Sequence, residues 1–259
     1  MDGTGAVGVM ETAPSWTWGD VDARDETGMT RLTHSAARAE LWCDGGRLRR
    51  GSGYAAASRP ARHALARTGA ILCLRARGRF LLHASGVVDP GGRAWLLAGD
   101  SGCGKSTLAY ALAREGWRVL GDDGVLVEVA GSGVIAHSWR DALHVSAELA
   151  AFPELAGRSG SAPPGDARRR IAVHVDVARR APLAAILLPA RAAGDARRVT
   201  HTTALAALVR HSPWVVLGDV HAAAHLAALT VMARQIPAFV LPHDESDLGT
   251  LAGRLGALA

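Results

Sequence analysis

The pattern of apolar and polar positions predicts mostly short strands in the first third of the chain. Residues 39–50 alternate on both sides of Asp44-Gly45-Gly46, which predicts two strands joined by a turn whose glycines allow positive φ. Residues 71–75 and 79–82 are short apolar runs that predict two more strands. The first 28 residues follow no clear period, so a poorly ordered lead or an irregular edge is expected there.

One helix is predicted among these strands. Residues 60–67 follow Ser58 and begin with a proline, and this combination is typical of a helix start. Together with the strands, the helix indicates a small N-terminal β-rich region over residues 1–70. A larger domain is expected over residues 71–259.

The pattern of apolar residues changes after residue 92. Residues 93–98 form an apolar run that predicts a strand, and residues 105–115 place Ala and Leu on one helical face. The loop between them is Gly99-Asp100-Ser101-Gly102-Cys103-Gly104. Residues 117–120 predict a further strand, which ends at Gly121-Asp122-Asp123. The order of strand, glycine loop, helix, strand and paired acids is typical of a P-loop domain.

The rest of the chain alternates strands and helices. The predicted elements are strands at 125–129 and 134–139, a buried strand at 184–188, helices at 202–210 and 222–234, a strand at 238–241 and a final helix at 246–258. A Gly/Ser/Pro loop is expected at 157–165. This alternation indicates a layered α/β fold.

The composition and the charge of the chain exclude some classes of function. The 259 residues are 49% hydrophobic and carry a net charge of +5, which suits a globular protein and is a weak positive bias over this length. The basic residues are scattered and only 5% of residues are aromatic, so no nucleic acid partner is expected. The 29 basic residues include a single lysine, Lys105. Cys43, Cys73 and Cys103 form no Cys-x-x-Cys pair, which favours reduced thiols and gives no zinc site.

The sequence also predicts the cellular compartment of the protein. No apolar run reaches the length of a membrane span, and residues 1–5 lack the basic start of a secretory signal. A cytoplasmic protein with no membrane partner is therefore expected.

The strongest motif is Gly99-x-x-x-x-Gly104-Lys105-Ser106, a complete phosphate-binding loop. Its glycines let backbone N–H groups cradle phosphate oxygens, and the start of the following helix adds partial positive charge. Lys105 can reach the outer phosphates and the Ser106 hydroxyl can bind Mg²⁺. The candidate nucleotide contacts are Gly99, Asp100, Ser101, Gly102, Cys103, Gly104, Lys105, Ser106 and Thr107.

Two further features lie near this motif in the predicted sheet. Asp122 and Asp123 end the next strand, where one carboxylate can hold Mg²⁺ and the other can orient an attacking hydroxyl. The alternative is that Asp-Asp-Gly only forms a turn between two strands. His83 ends an apolar strand before the loop, and a lone histidine there is more often a packed core residue than a catalyst.

His83, the glycine loop and Gly121-Asp122-Asp123, in this order, resemble the HPr serine kinase/phosphorylase family. That family has a Leu-His-Gly type element, a Gly-Asp-Ser-Gly-x-Gly-Lys-Ser loop and an Ala-Asp-Asp element. The resemblance covers residues 81–128, and it is closer to the shorter HPr-kinase-related proteins with Leu-His-Ala-Ser and Gly-Lys-Ser-Thr, which include kinases of lasso-peptide precursors. It implies a P-loop kinase domain like the C-terminal domain of HPr kinase.

The resemblance also implies roles for single residues. Asp122 would accept the proton of the attacking hydroxyl with help from His83, Lys105 would hold the phosphates, and Asp123 would bind metal together with Ser106. The expected function is an ATP- and Mg²⁺-dependent kinase acting on a serine of a peptide or small protein, such as a lasso-peptide precursor.

Several alternatives stay open at this point. The acceptor could instead be a sugar, an amino acid or a polyol, and the chain could also be a regulatory module that binds nucleotide without transfer. The sequence leaves the reverse reaction and homo-oligomerisation undecided. Arg140 and Arg168 to Arg170 are either contacts for phosphate or an acidic peptide, or solvated side chains. Cys103 is either a redox-sensitive thiol or a variable loop position.

Overall fold

The computed structural model describes residues 15–26, 28–139, 143–146, 152–155, 170–217 and 220–258. The chain divides into two compact units. The first comprises Met1–Arg77 with Leu217–His221, and the second comprises Gly78–Val216 with Ala222–Ala259. Among the described residues, no helix is long and apolar enough to cross a membrane.

The first unit contains a five-stranded antiparallel sheet in sequential order and one helix. Its elements are β1 (Ser15–Trp18), β2 (Val21–Glu26), β3 (Met29–His34), β4 (Ala39–Asp44), β5 (Arg47–Arg50) and α1 (Arg59–Arg75). The predicted turn at Asp44-Gly45-Gly46 is confirmed, since β4 and β5 pair around it. Helix α1 approaches the sheet closely at Gly69, where a Cβ would lie 2.7 Å from the Leu48 side chain.

Two expectations for this unit are wrong. Residues 71–75 are the last turns of α1 and not a strand, because the buried positions Ala61, Leu65, Thr68 and Leu72 continue at helical spacing from the Ser58 cap. The described part of the first 28 residues forms the regular strands β1 and β2. Their apolar alternation is short and interrupted by charged residues, so it gave no clear period. Residues 1–14 lie outside the described part.

The second unit is mixed α/β and is built on a nine-stranded sheet. Its elements are β6 (Arg79–Leu82), β7 (Ala84–Val88), β8 (Ala94–Ala98), α2 (Lys105–Arg114), β9 (Arg118–Gly121), β10 (Val125–Ala130), β11 (Gly133–Ser138), β12 (Leu143–Ser146), β13 (Arg170–Val173), β14 (Arg180–Arg191), β15 (Arg197–Arg198), α3 (His201–Arg210), α4 (Ala222–Gln235), β16 (Ala238–His243) and α5 (Leu251–Gly256). Strands β12 and β13 form a separate pair.

The order of strands in the large sheet is β6-β10-β11-β14-β8-β7-β9, and β16 pairs with β14 and β15. Strand β14 pairs in parallel with β8 and with β16. The carboxyl ends of these three strands therefore lie at one edge of the sheet, where ligands commonly bind in α/β folds. Strand β7 pairs antiparallel with both β8 and β9, and so lies between them.

Helices cover both faces of this sheet. Leu96 of β8 belongs to a buried cluster with Leu229 of α4, whereas the next residue, Leu97, belongs to a second cluster with Leu108 of α2 and Leu251 of α5. Successive strand residues point to opposite faces, so β8 is buried on both sides. The strand that leads into the glycine loop is consequently held at the centre of the core.

The predictions for this unit hold in most segments. The strand at 93–98, the helix at 105–115, the hairpin at 125–139 and the helices at 202–210 and 222–234 are all confirmed. The final helix at 246–258 is only partly right, because Glu245–Thr250 is a 3-10 helix and α5 ends at Gly256. Glycines at 249, 253 and 256 lower helix propensity there. The predicted loop at 157–165 lies outside the described residues.

Candidate functional site

The glycine loop connects the buried end of β8 to the first residue of α2. Gly102 and Gly104 have φ angles of 85° and 101°, in the region that favours glycine. A Cβ on Gly104 would also lie 2.6 Å from the ring of His243, so this position needs glycine for two separate reasons. The Nε2 atom of His243 lies 2.9 Å from the carbonyl oxygen of Cys103, and this contact fixes the ring against the loop.

Lys105 spans the glycine loop. Its Nζ donates to the carbonyl oxygens of Gly99 at 2.9 Å and of Asp100 at 3.0 Å, and the residue is only 5% exposed. These contacts hold the ammonium beside the start of α2, where backbone N–H groups have no partner within the helix. The positive end of the helix and the ammonium together favour an anion at this place.

Asp122 links the loop to the neighbouring strands. Its Oδ1 accepts hydrogen bonds from the hydroxyls of Ser106 at 2.8 Å and Ser85 at 2.7 Å, and its Oδ2 accepts one from the backbone N–H of His144 at 3.1 Å. The side chain is buried. Pairing of Gly86 with Gly121 between β7 and β9 brings Ser85 beside Asp122. The carboxylate therefore lies at the junction of two strands and the first turn of α2.

The two adjacent acids are placed differently. Asp123 is exposed and has a φ of 55°, a left-handed conformation that aspartate tolerates better than most residues. The same turn needs glycine at position 121, since a Cβ there would lie 2.6 Å from the carbonyl oxygen of Gly124. Asp122 is thus buried against Ser106, whereas Asp123 is an exposed residue of the turn.

Two histidines of the second unit, His83 and His211, are in contact with each other. The backbone N–H of His83 donates to the carbonyl oxygen of His211 at 2.8 Å. Burial lowers the pKa of His211 below its ordinary value; Asp100 opposes this, while Lys105, His83 and Arg210 lower the pKa further. His211 is therefore mainly neutral at pH 7, and His83 lies close enough to His211 to lower its pKa.

Arg210, the last residue of α3, contacts the glycine loop at Asp100. Its Nε and Nη2 donate to the two carboxylate oxygens of Asp100 at 3.2 Å and 2.7 Å. Both side chains are exposed, so the pair adds little to stability. The pair matters because it places the Arg210 guanidinium at the edge of the glycine loop, close to the candidate phosphate site.

The structure thus brings together many of the residues that the sequence singled out. The hydroxyl of Ser106, the residue after Lys105, donates to Asp122, whereas Asp123 is exposed. Arg140, Arg168 and Arg169 lie outside the described residues. Sequence reasoning missed Ser85, His144, Arg210, His211 and His243. Only Ser85 carried a signal, as a neighbour of His83.

The donor atoms present fit both phosphate and a divalent cation. Ser106 Oγ and Asp122 Oδ1 are hard oxygen donors 2.8 Å apart, which is the ligand type that Mg²⁺ prefers. The helix N-terminus, the glycine amides and Lys105 provide donors and positive charge for phosphate oxygens.

Comparison with known proteins adds little to this geometry. No protein-family model matches the sequence, and no curated protein matches it. Among solved structures, the chain is similar to the HPr(Ser) kinase/phosphatase from Coxiella burnetii, with a TM-score of 0.37 and 13% sequence identity over 69% of this chain and 91% of that one. At this TM-score the likeness does not bear on function.

Proposed function

We propose that this chain is an ATP- and Mg²⁺-dependent kinase that transfers the γ-phosphoryl group to a hydroxyl. The observation that carries the proposal is the contact of Ser106 at the start of α2 with the buried Asp122, beside a lysine held across the glycine loop. Phosphoryl transfer needs mainly positioning and neutralisation of charge, and these groups provide both.

The glycine amides and Lys105 hold the phosphate chain in this proposal, and Ser106 and Asp122 hold the cation. A bound Mg²⁺ would neutralise charge on the outer phosphates. Asp122 suits the cation side because it is buried and already shares a hydrogen bond with the serine hydroxyl. Asp123 suits the acceptor side because an incoming hydroxyl can reach an exposed carboxylate. The family resemblance implies the reverse division, and an experiment below separates the two.

The reaction is an in-line displacement. The acceptor oxygen forms a bond to the γ-phosphorus, the bond from that phosphorus to the bridging oxygen breaks, and its electron pair stays on ADP. The hydroxyl proton passes to a carboxylate of the Asp122 and Asp123 pair. His83 lies two residues before Ser85, whose hydroxyl donates to Asp122, and is proposed to orient the acceptor.

The acceptor we propose is a serine of a peptide or small protein. This part of the proposal rests on the resemblance of His83-Ala84-Ser85, the glycine loop and the acid pair to the HPr-kinase-related proteins. A peptide hydroxyl also suits a site whose acceptor-side carboxylate is exposed, because a bulky substrate can approach it.

The test is a transfer assay read by intact mass. The protein is incubated with ATP, Mg²⁺ and panels of serine peptides, sugars, polyols and amino acids, with Lys105→Met as the inactive control. A phosphorylated peptide that appears only with the wild-type protein supports the proposal. Phosphorylation of a metabolite alone would change the acceptor class. ATP binding without any product would instead favour a regulatory module.

A further inference from the structure

A cavity of about 290 Å³ adjoins the glycine loop. It is lined by Gly104 and Thr107 of the loop and α2, by His243 at the end of β16, and by residues that follow β14 and β16, including Ala193 and Leu248. The volume lies just below the roughly 300–1,000 Å³ typical of small-molecule pockets. It can take part of a nucleotide while the phosphates remain outside it.

The start of α2 separates two sides of the site. Ser106 donates to Asp122, whereas the next residue, Thr107, lines the cavity. Successive residues of an α-helix point about 100° apart, so these side chains face different directions. A ligand whose phosphates lie on the loop would therefore extend its reacting end toward Asp122 and its other end into the cavity.

The walls of the cavity are held in place by contacts within the second unit. Arg254 of α5 donates from Nη2 to the carbonyl oxygens of Gly194 at 3.0 Å and Pro242 at 2.9 Å, which ties the segment after β14 to the end of β16. His243 is fixed by its contact with the carbonyl oxygen of Cys103. The pocket is therefore formed before any ligand arrives.

The chemistry of the walls suits a nucleoside. Leu248 is buried and Ala193 is small, so together they leave an apolar slot, and the His243 ring supplies a flat surface against which a base can pack. Asp244 also lines the cavity. We infer that this cavity is the nucleoside subsite, with the base between Leu248, Ala193 and His243. This inference rests on the proposed nucleotide function.

The test compares ATP with inorganic tripolyphosphate, which carries the phosphates without the nucleoside. Ala193 is exposed, so Ala193→Trp fills the cavity without disturbing the core, and Ala193→Leu is a milder version. Ala257→Trp, at an exposed position beyond α5, is the matched control. Binding is measured by calorimetry, and thermal unfolding confirms that each variant is folded.

The expected result is that the wild-type protein and Ala257→Trp bind ATP more tightly than tripolyphosphate. Ala193→Trp should weaken ATP binding at least about tenfold, with a smaller loss in Ala193→Leu, while tripolyphosphate binding changes less than about twofold. Unchanged ATP binding in both variants, or an equal loss for the two ligands, would overturn the subsite. If the wild-type protein binds neither ligand, the proposed function fails and the subsite fails with it.

Discussion

Replacement of Asp122 tests the centre of the proposed site. Asp122→Asn keeps the shape of the side chain but removes its charge. The amide oxygen can still accept from the His144 N–H, and the amide NH₂ can face Ser85 and Ser106, whose hydroxyls can turn to accept from it. Asp122→Ala removes all three acceptor contacts and leaves the His144 N–H unpaired.

The expected loss of stability follows from these contacts. Hydrogen bonds to a charged group contribute about 1.5–3 kcal/mol and neutral ones about 0.5–1.5 kcal/mol. Three such changes therefore cost about 3–4.5 kcal/mol in Asp122→Asn. Relief from burying a charge reduces this figure to about 1–3 kcal/mol. Asp122→Ala should cost about 3–6 kcal/mol, because an unsatisfied buried group costs about 1–3 kcal/mol.

The effect on function should be much larger than the effect on folding. If Asp122 holds the cation with Ser106, Asp122→Asn should lower phosphoryl transfer by about 10³-fold and abolish the gain in ATP affinity that Mg²⁺ gives the wild-type protein. If Asp122 is only the proton acceptor, transfer is lost but Mg²⁺ still strengthens ATP binding. The assay is therefore ATP binding with Mg²⁺ and with a chelator, beside the transfer rate.

Asp20→Asn serves as the control, since Asp20 is exposed in the turn between β1 and β2. It should match the wild-type protein in unfolding, binding and transfer. Normal transfer by a folded Asp122→Asn would refute every role given to this carboxylate. A stability loss above about 6 kcal/mol in Asp122→Asn would refute the hydrogen-bond reasoning.

Three further outcomes are expected. Gly104→Ala should abolish ATP binding measured by calorimetry, since the new Cβ would lie 2.6 Å from the His243 ring at a φ of 101°. Gly133→Ala has open space around the new Cβ and should leave ATP binding unchanged. Burial opposes ionisation of Asp89, but hydrogen bonds from Arg93 and from the Trp95 indole outweigh burial and lower the pKa of Asp89. This carboxylate therefore stabilises the fold above about pH 4, and the contribution is lost as the pH falls through the lowered pKa. Denaturation measured over a series of pH values should show a weaker dependence of stability on pH in this range for Asp89→Asn. Burial raises the pKa of Cys43 to about 12, so a thiol reagent at pH 8 should modify it only after unfolding, as peptide mapping would show; equal rates before and after unfolding would contradict this.

The sequence predicted the part of the site that is continuous in the chain. A short apolar run, a loop with glycines at two fixed positions and a segment with one apolar face are local signals, and they define β8, the loop and α2. The hairpin of β10 and β11 was predictable for the same reason. Residues 71–75 were not, because a short apolar run suits a strand and a buried helix equally well.

The contacts that complete the site join residues far apart in the chain. Ser85 and Asp122 are separated by 37 positions, Asp100 and Arg210 by 110, and Cys103 and His243 by 140. They meet only because β7 lies between β8 and β9, and because β14 and β16 run parallel to β8. That order of strands is set by packing of the whole sheet, and it cannot be predicted from the periodicity of single segments.

The single lysine among 29 basic residues follows from the geometry of its position. Its ammonium reaches two carbonyl oxygens from one nitrogen atom in a place that is 5% exposed. An ammonium has three N–H donors, so these two contacts leave one N–H that can point to a phosphate oxygen. A guanidinium spreads five donors over a rigid plane and could not fit the same two acceptors without moving the loop. Arginine therefore serves at the exposed rim, as Arg210 does on Asp100, while only lysine suits the interior of the loop.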